Sequence, residues 1–137
     1  MLSQADKIKL YVFTFLIDIY FLCIYNLVEI YLYKVFIQLI FLTHILFYIG
    51  LYYNLRKLLD IIHYLVIIYP AITIFINDYW IKFNSLIVIT IIQLLWIFEG
   101  RCILNEKDQS LFYGHLINIF VIFLGLYLSF QLGLIYI

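Results

Sequence analysis

Apolar residues run through this chain in long blocks instead of alternating with polar ones. Stretches such as "LIVITIIQLLWIF" carry no period of two, which argues against strands, including those of a membrane barrel. Charges and turn formers interrupt the blocks at "EIYLYK", "NLRKLLD", "NDYWIKFN" and "WIFEGRCILNEKDQS". Five apolar segments remain, roughly Ile8–Val28, Val35–Asn54, Ile61–Ile76, Ser85–Phe98 and Phe112–Tyr136. About 20 helical residues cross a hydrocarbon core of about 30 Å. Lipid offers the backbone no competing hydrogen bonds, so even β-branched segments are forced into helix. The pattern predicts an all-α, integral membrane helical bundle with five transmembrane helices, or four if the first two segments form one span.

Composition points the same way. Of 137 residues, 68% are hydrophobic and 12% charged, against about half and about a quarter in soluble domains. So few polar side chains cannot clothe a water-facing surface, and the lipid bilayer is the expected partner. A formal net charge of zero gives no electrostatic footprint for nucleic acid. The opening segment holds Asp18 and lacks a small-residue cleavage site, so it reads as a retained anchor and not as a signal peptide. Ile, Phe, Tyr, Leu and Asn dominate, while Ala occurs only at 5 and 71 and Pro only at 70. These preferences match an AT-rich genome, and with it an organelle inner membrane, such as that of a mitochondrion, or a virus or host membrane.

Lys and Arg placement orders the threading. With five crossings, Lys7, Lys9, Arg56, Lys57, Arg101 and Lys107 share one side, and only Lys34 and Lys82 lie on the other. That asymmetry fits the positive-inside rule. Tyr52, Tyr53, Tyr79, Trp80, Trp96 and Tyr113 fall near the expected interfaces, where amphipathic rings prefer to sit. Pro70 is expected to kink the middle of the third helix. No repeat or soluble segment divides the chain, so residues 1–137 read as one transmembrane domain.

Three histidines and one acid carry the candidate chemistry. Asp18 and His44 fall near the midplane of antiparallel neighbours, and an intramembrane ionisable residue is a functional candidate by default. They are expected to touch or to share a water, either to join the helices or to carry protons or ions. His63 and His115 share a depth near one face, the minimal requirement for bis-imidazole haem ligation. Interfacial hydrogen bonding is the plainer use of that pair, so no cofactor is expected unless it is haem. No spacing of His, Cys, Asp or Glu forms a metal site, and no catalytic motif occurs. Cys23 reads as a small hydrophobe. The charges Glu99, Arg101, Glu106, Lys107 and Asp108 form a turn near Arg56, Lys57 and Asp60, with Asp108 or Ser110 able to cap the fifth helix.

At that turn, "WIFEGRCILNEKD" resembles the aromatic–Gly/Asn–Cys–x–Leu–Thr–x–x–acid signature of small multi-span membrane proteins. These are the DUF2784-type proteins of bacteria and similar short proteins of large DNA viruses. Trp96, Gly100, Cys102, Leu104 and Asp108 carry the resemblance; Asn105 replaces the usual Thr, and Gln93 stands where a His is common. The resemblance covers about a tenth of the chain and implies a multi-span membrane fold without a known activity.

Gly125, Ser129 and Gly133, four residues apart in "GLYLSFQLG", form a small-residue stripe suited to close helix approach. The expected function is a non-enzymatic multi-pass membrane protein, a structural or accessory subunit of a larger complex joined through its last helix. A haem- or quinone-binding anchor built on His63 and His115 is one alternative. A proton- or ion-conducting protein built on Asp18 and His44 is another.

Overall fold

Short polar side chains cap the starts of the first and fourth helices. In the computed structural model, which describes residues 2–99 and 111–135, Ser3 begins the first helix, α1 (Gln4–Ile24), by accepting the backbone N–H of Asp6 at 3.0 Å. A turn at 25–27 leads into α2 (Tyr31–Tyr53), which ends at Asn54 in the left-handed conformation with φ 56°. The N–H of Leu55 then closes on the Gly50 carbonyl at 2.9 Å, and Asn is one of the few residues that tolerates that backbone. Helices α3 (Arg56–Thr73), α4 (Tyr79–Glu99) and α5 (Leu111–Gln131) follow, and no strand occurs among the described residues.

The chain forms two compact units, Met1–Val66 and Ile67–Ile137, whose boundary falls within α3. In the first unit α1 packs on α2. Contacts of Tyr11 with Tyr48, Phe21 with Phe41 and Tyr25 with Gln38 run in opposite chain directions, so the two helices are antiparallel. Phe21, Ile24, Val28, Ile37, Leu51 and Leu59 are buried. Gly50 admits Leu59 so closely that a Cβ there would lie 3.0 Å from its Cδ2. In the second unit α4 packs on α5 around Ile89, Val121, Leu124 and Leu128, with Ala71 and Ile74 against them.

Several boundaries differ from the expectation. Helix α4 begins at Tyr79, not at Ser85, because Asp78 caps it: its Oδ1 accepts the Ile81 N–H at 3.0 Å. Arg56, Lys57 and Asp60 lie inside α3, which ends at Thr73. Pro70 therefore sits in the last turn of α3 and not at its centre. By length and composition, two helices among the described residues can cross a membrane, Tyr31–Tyr53 and Tyr79–Phe98. The apolar helix at His115–Gln131 is shorter, while α1 carries Asp6, Lys7, Lys9 and Asp18, and α3 carries Arg56, Lys57 and Asp60.

Candidate functional site: the polar contact between the first two helices

Asp18 lies on the face of α1 that holds Tyr11, Thr14 and Phe21, the face turned to α2. It stands nearer the C-terminal third of α1 than the expected centre, because the helix runs from Gln4 to Ile24. His44 and Tyr48 are one turn apart on α2 and share the opposing face. The structure brings all three together. His44 Nδ1 is 2.5 Å from Asp18 Oδ1, and the Tyr48 hydroxyl donates to Asp18 Oδ2 at 2.7 Å. Both carboxylate oxygens are thus engaged from one helix, and the Asp18 and His44 side chains are each only 15% exposed. A carboxyl group placed this deep needs such partners, since an unpaired buried charge is costly.

Tyr11 extends the cluster by two turns of α1. Its ring stacks on that of Tyr48 with centroids 5.8 Å apart, and its hydroxyl reaches the Tyr48 carbonyl at 3.5 Å. On the other side of Asp18, Phe21 is fully buried and meets Phe41 edge-on at 6.1 Å. Beyond those rings Gln38 Nε2 donates to the Tyr25 hydroxyl at 2.7 Å, and the Lys34 ammonium lies 5.6 Å from the Tyr25 ring centre. Tyr48 was absent from the sequence reading, although its position four residues after His44 places it on the same helical face.

The remaining candidate residues fall elsewhere. His63 belongs to the first unit, half-buried in α3 with its ring against Tyr64 at 6.3 Å. His115 belongs to the second unit, where its side chain is exposed on α5. Gly125 takes the expected close-packing role inside the second unit, since a Cβ there would lie 3.0 Å from Ile89 Cγ2. The stripe does not continue to Gly133. That residue lies beyond the end of α5 with φ 68°, and the Leu134 N–H bonds the Ser129 carbonyl at 2.9 Å. Gly133 therefore terminates the helix, as glycine commonly does in this motif, and a Cβ there would meet nothing within 4 Å among the described residues. Cys23 is exposed on α1. Gly100, Arg101, Cys102, Leu104, Asn105, Glu106, Lys107, Asp108 and Ser110 lie outside the described residues.

A second polar group, one that the sequence reading did not single out, occurs in the second unit. The Tyr69 hydroxyl donates to Asn84 Oδ1 at 2.8 Å, Thr73 Oγ1 donates to the Pro70 carbonyl at 2.8 Å, and Gln131 Nε2 reaches the Ile74 carbonyl at 3.5 Å. Asn84 Nδ2, Ser85 Oγ, Gln93 Nε2, Asn118 Oδ1 and Gln131 Oε1 are buried without a hydrogen-bond partner among the described residues. No group of three or more His, Cys, Asp or Glu among the described residues could hold a metal ion. No protein-family model, curated protein or solved structure matches the chain.

Proposed function

We propose that this chain is an integral membrane protein serving as a small, non-enzymatic structural or accessory subunit of a larger membrane assembly. The supporting observation is the apolar character of its outward faces. Phe15, Leu16 and Leu22 on α1, Leu39, Leu42 and Ile45 on α2, and Ile119, Phe120 and Phe123 on α5 are all exposed. Monomeric soluble proteins rarely expose contiguous apolar patches beyond a few hundred Å². The internal chemistry suits the same medium. Thr43 and Thr90 on the helix surfaces satisfy their hydroxyls on the carbonyls of Leu39 and Leu86, at 2.9 and 2.8 Å. Tyr52 and Tyr53 at the end of α2, and Tyr79 and Trp80 at the start of α4, are exposed where an interfacial belt would lie.

Alkaline carbonate extraction of native membranes, followed by native electrophoresis in mild detergent, tests both halves of this reading. The chain should stay in the pellet and then migrate with partner subunits. Release into the supernatant would refute membrane integration, and migration at monomer size would refute the subunit role. The setting favoured by the AT-rich composition is an organelle inner membrane or a viral membrane.

A further inference from the structure

We propose that Lys7 and Lys57, with Lys9 and Arg56 beside them, form a docking surface for the headgroup of an anionic phospholipid. The surface lies at the end of the first unit where α1 and α3 begin, and it rests on the proposed membrane reading.

Contacts within the unit set the level of these residues. Tyr11 stacks on Tyr48 between antiparallel helices, so Gly50, two residues further along α2, stands opposite about residue 9 of α1. A Cβ on Gly50 would lie 3.0 Å from Leu59 Cδ2 and 3.5 Å from Leu58 Cδ2, which puts the start of α3 at that same level. Lys7, Lys9, Arg56 and Lys57 therefore fall within about one helical turn of each other along the helix axes, about 5 Å. Tyr52 and Tyr53 lie at this end too, with ring centroids 4.9 Å apart and 73% and 66% exposed. Amphipathic rings prefer the headgroup level of a bilayer, which fixes the height of the surface.

Charge at this end is not balanced. The four cations meet two acids, Asp6 and Asp60. Asp6 is buried in the first turn of α1, and Asp60 Oδ1 holds Arg56 Nε at 3.0 Å. Lys9 and Arg56 each have partners within the protein, so they add charge while Lys7 and Lys57 make the contact. Lys57 is exposed and Lys7 is half-buried; a long apolar stem lets such an ammonium reach the headgroups. The opposite end of the unit carries one acid, Glu29, and one cation, Lys34, whose ammonium lies 5.6 Å from the Tyr25 ring centre. Arg56 and Lys57 also open α3, whose first turn holds no acid. The helix dipole disfavours cations there, so the stability of α3 does not account for them. A phospholipid phosphate supplies the missing negative charge at that height, and clustered Lys and Arg at a membrane surface attract anionic lipid.

Full-length protein in phosphatidylcholine vesicles, with a trace of spin-labelled phosphatidylglycerol or spin-labelled phosphatidylcholine, tests the surface. Electron paramagnetic resonance separates lipid held at the protein from fluid lipid. A cation near an anionic lipid surface contributes about 1 kcal/mol, which is about fivefold in affinity at about 1.4 kcal/mol per tenfold. Wild type should hold phosphatidylglycerol over phosphatidylcholine by about that factor at low salt. The preference should shrink in about 1 M salt, where the screening length falls to about 3 Å. Lys7→Gln, Lys57→Gln should bring the two lipids close to parity, and Lys7→Arg, Lys57→Arg should keep the preference. Lys34→Gln, at the opposite end, should leave it unchanged. Equal holding of both lipids by wild type, the result expected if an acidic segment of a partner subunit were the occupant, overturns the surface. So does a preference that survives the Lys7→Gln, Lys57→Gln change or falls as far in Lys34→Gln. If that double variant fails to reconstitute, Lys57→Gln alone decides: a lowered preference supports the surface, and an unchanged one overturns it. A wild type that holds neither lipid refutes the membrane reading itself, whereas held lipid without a headgroup preference refutes only the docking surface.

Discussion

Removing His44 should strand Asp18, and the cost follows from the contacts. The carboxylate loses its 2.5 Å partner and keeps only the Tyr48 hydroxyl at 2.7 Å. A hydrogen bond to a charged group contributes about 1.5–3 kcal/mol, and breaking a fully buried ion pair costs about 3–5 kcal/mol. Each side chain retains 15% exposure, so solvent or headgroup screening places His44→Leu toward the lower figures, about 2–3 kcal/mol. Asp18→Leu should cost about as much, because it leaves both the imidazole and the Tyr48 hydroxyl without their acceptor. The double variant removes the charge and its partner together and fills the gap with apolar volume. It should therefore be less destabilised than the sum of the single variants by about 1–3 kcal/mol, the range for residues in direct contact. Denaturant unfolding in a fixed detergent, followed by far-UV circular dichroism, measures all four proteins. Additivity within about 0.5 kcal/mol would show that the two sites are independent and would refute the pairing.

Further outcomes follow from the second unit and the threading. Gly125→Ala sets a Cβ 3.0 Å from Ile89 Cγ2; the strain should outweigh the helix propensity gained, destabilising by about 1–2 kcal/mol, and Ile89→Ala should relieve it in the same unfolding assay. Equal stability of Gly125→Ala and wild type would show that α4 and α5 do not approach as described. Tyr69→Phe removes the donor to Asn84 Oδ1, leaving a buried amide whose Nδ2 is already unpaired. A loss of about 1–3 kcal/mol is expected, and a neutral result would argue that water already serves that amide. Cys102 should react with an impermeant maleimide only from the side bearing the N-terminus; labelling from the opposite side would refute the five-span threading.

Much of the architecture is legible in the sequence. Long apolar blocks without alternation predicted helices, and the interruptions between them marked the five elements. The ends were less legible. Capping depends on single side chains, so Ser3 starts α1 ahead of the apolar block at Ile8, and Asp78 starts α4 within the stretch that looked like a break. Arg56, Lys57 and Asp60 likewise looked like a break, yet Arg56 and Asp60 are one helical turn apart, with Nε and Oδ1 at 3.0 Å, and ride inside α3. Periodicity reports which residues are apolar, and it does not report where an exposed first turn begins.

The candidate site divides along the same line. Depth alone put Asp18 opposite His44, because antiparallel neighbours bring residues of equal depth together. Which further group completes the carboxylate is a matter of rotation about the helix axes, and only the packing of α1 on α2 turned Tyr48 and Tyr11 into the contact. Spacing likewise made Gly125, Ser129 and Gly133 look equivalent. Tertiary structure separated them: Gly125 is pressed against Ile89, whereas Gly133 lies past the last helical residue in a conformation that suits glycine. Sequence determined that this chain is helical and apolar, since both are properties of residues counted along one line. Which faces meet, and so which polar atoms find partners, depends on distances between residues far apart on that line, and those only the fold decides.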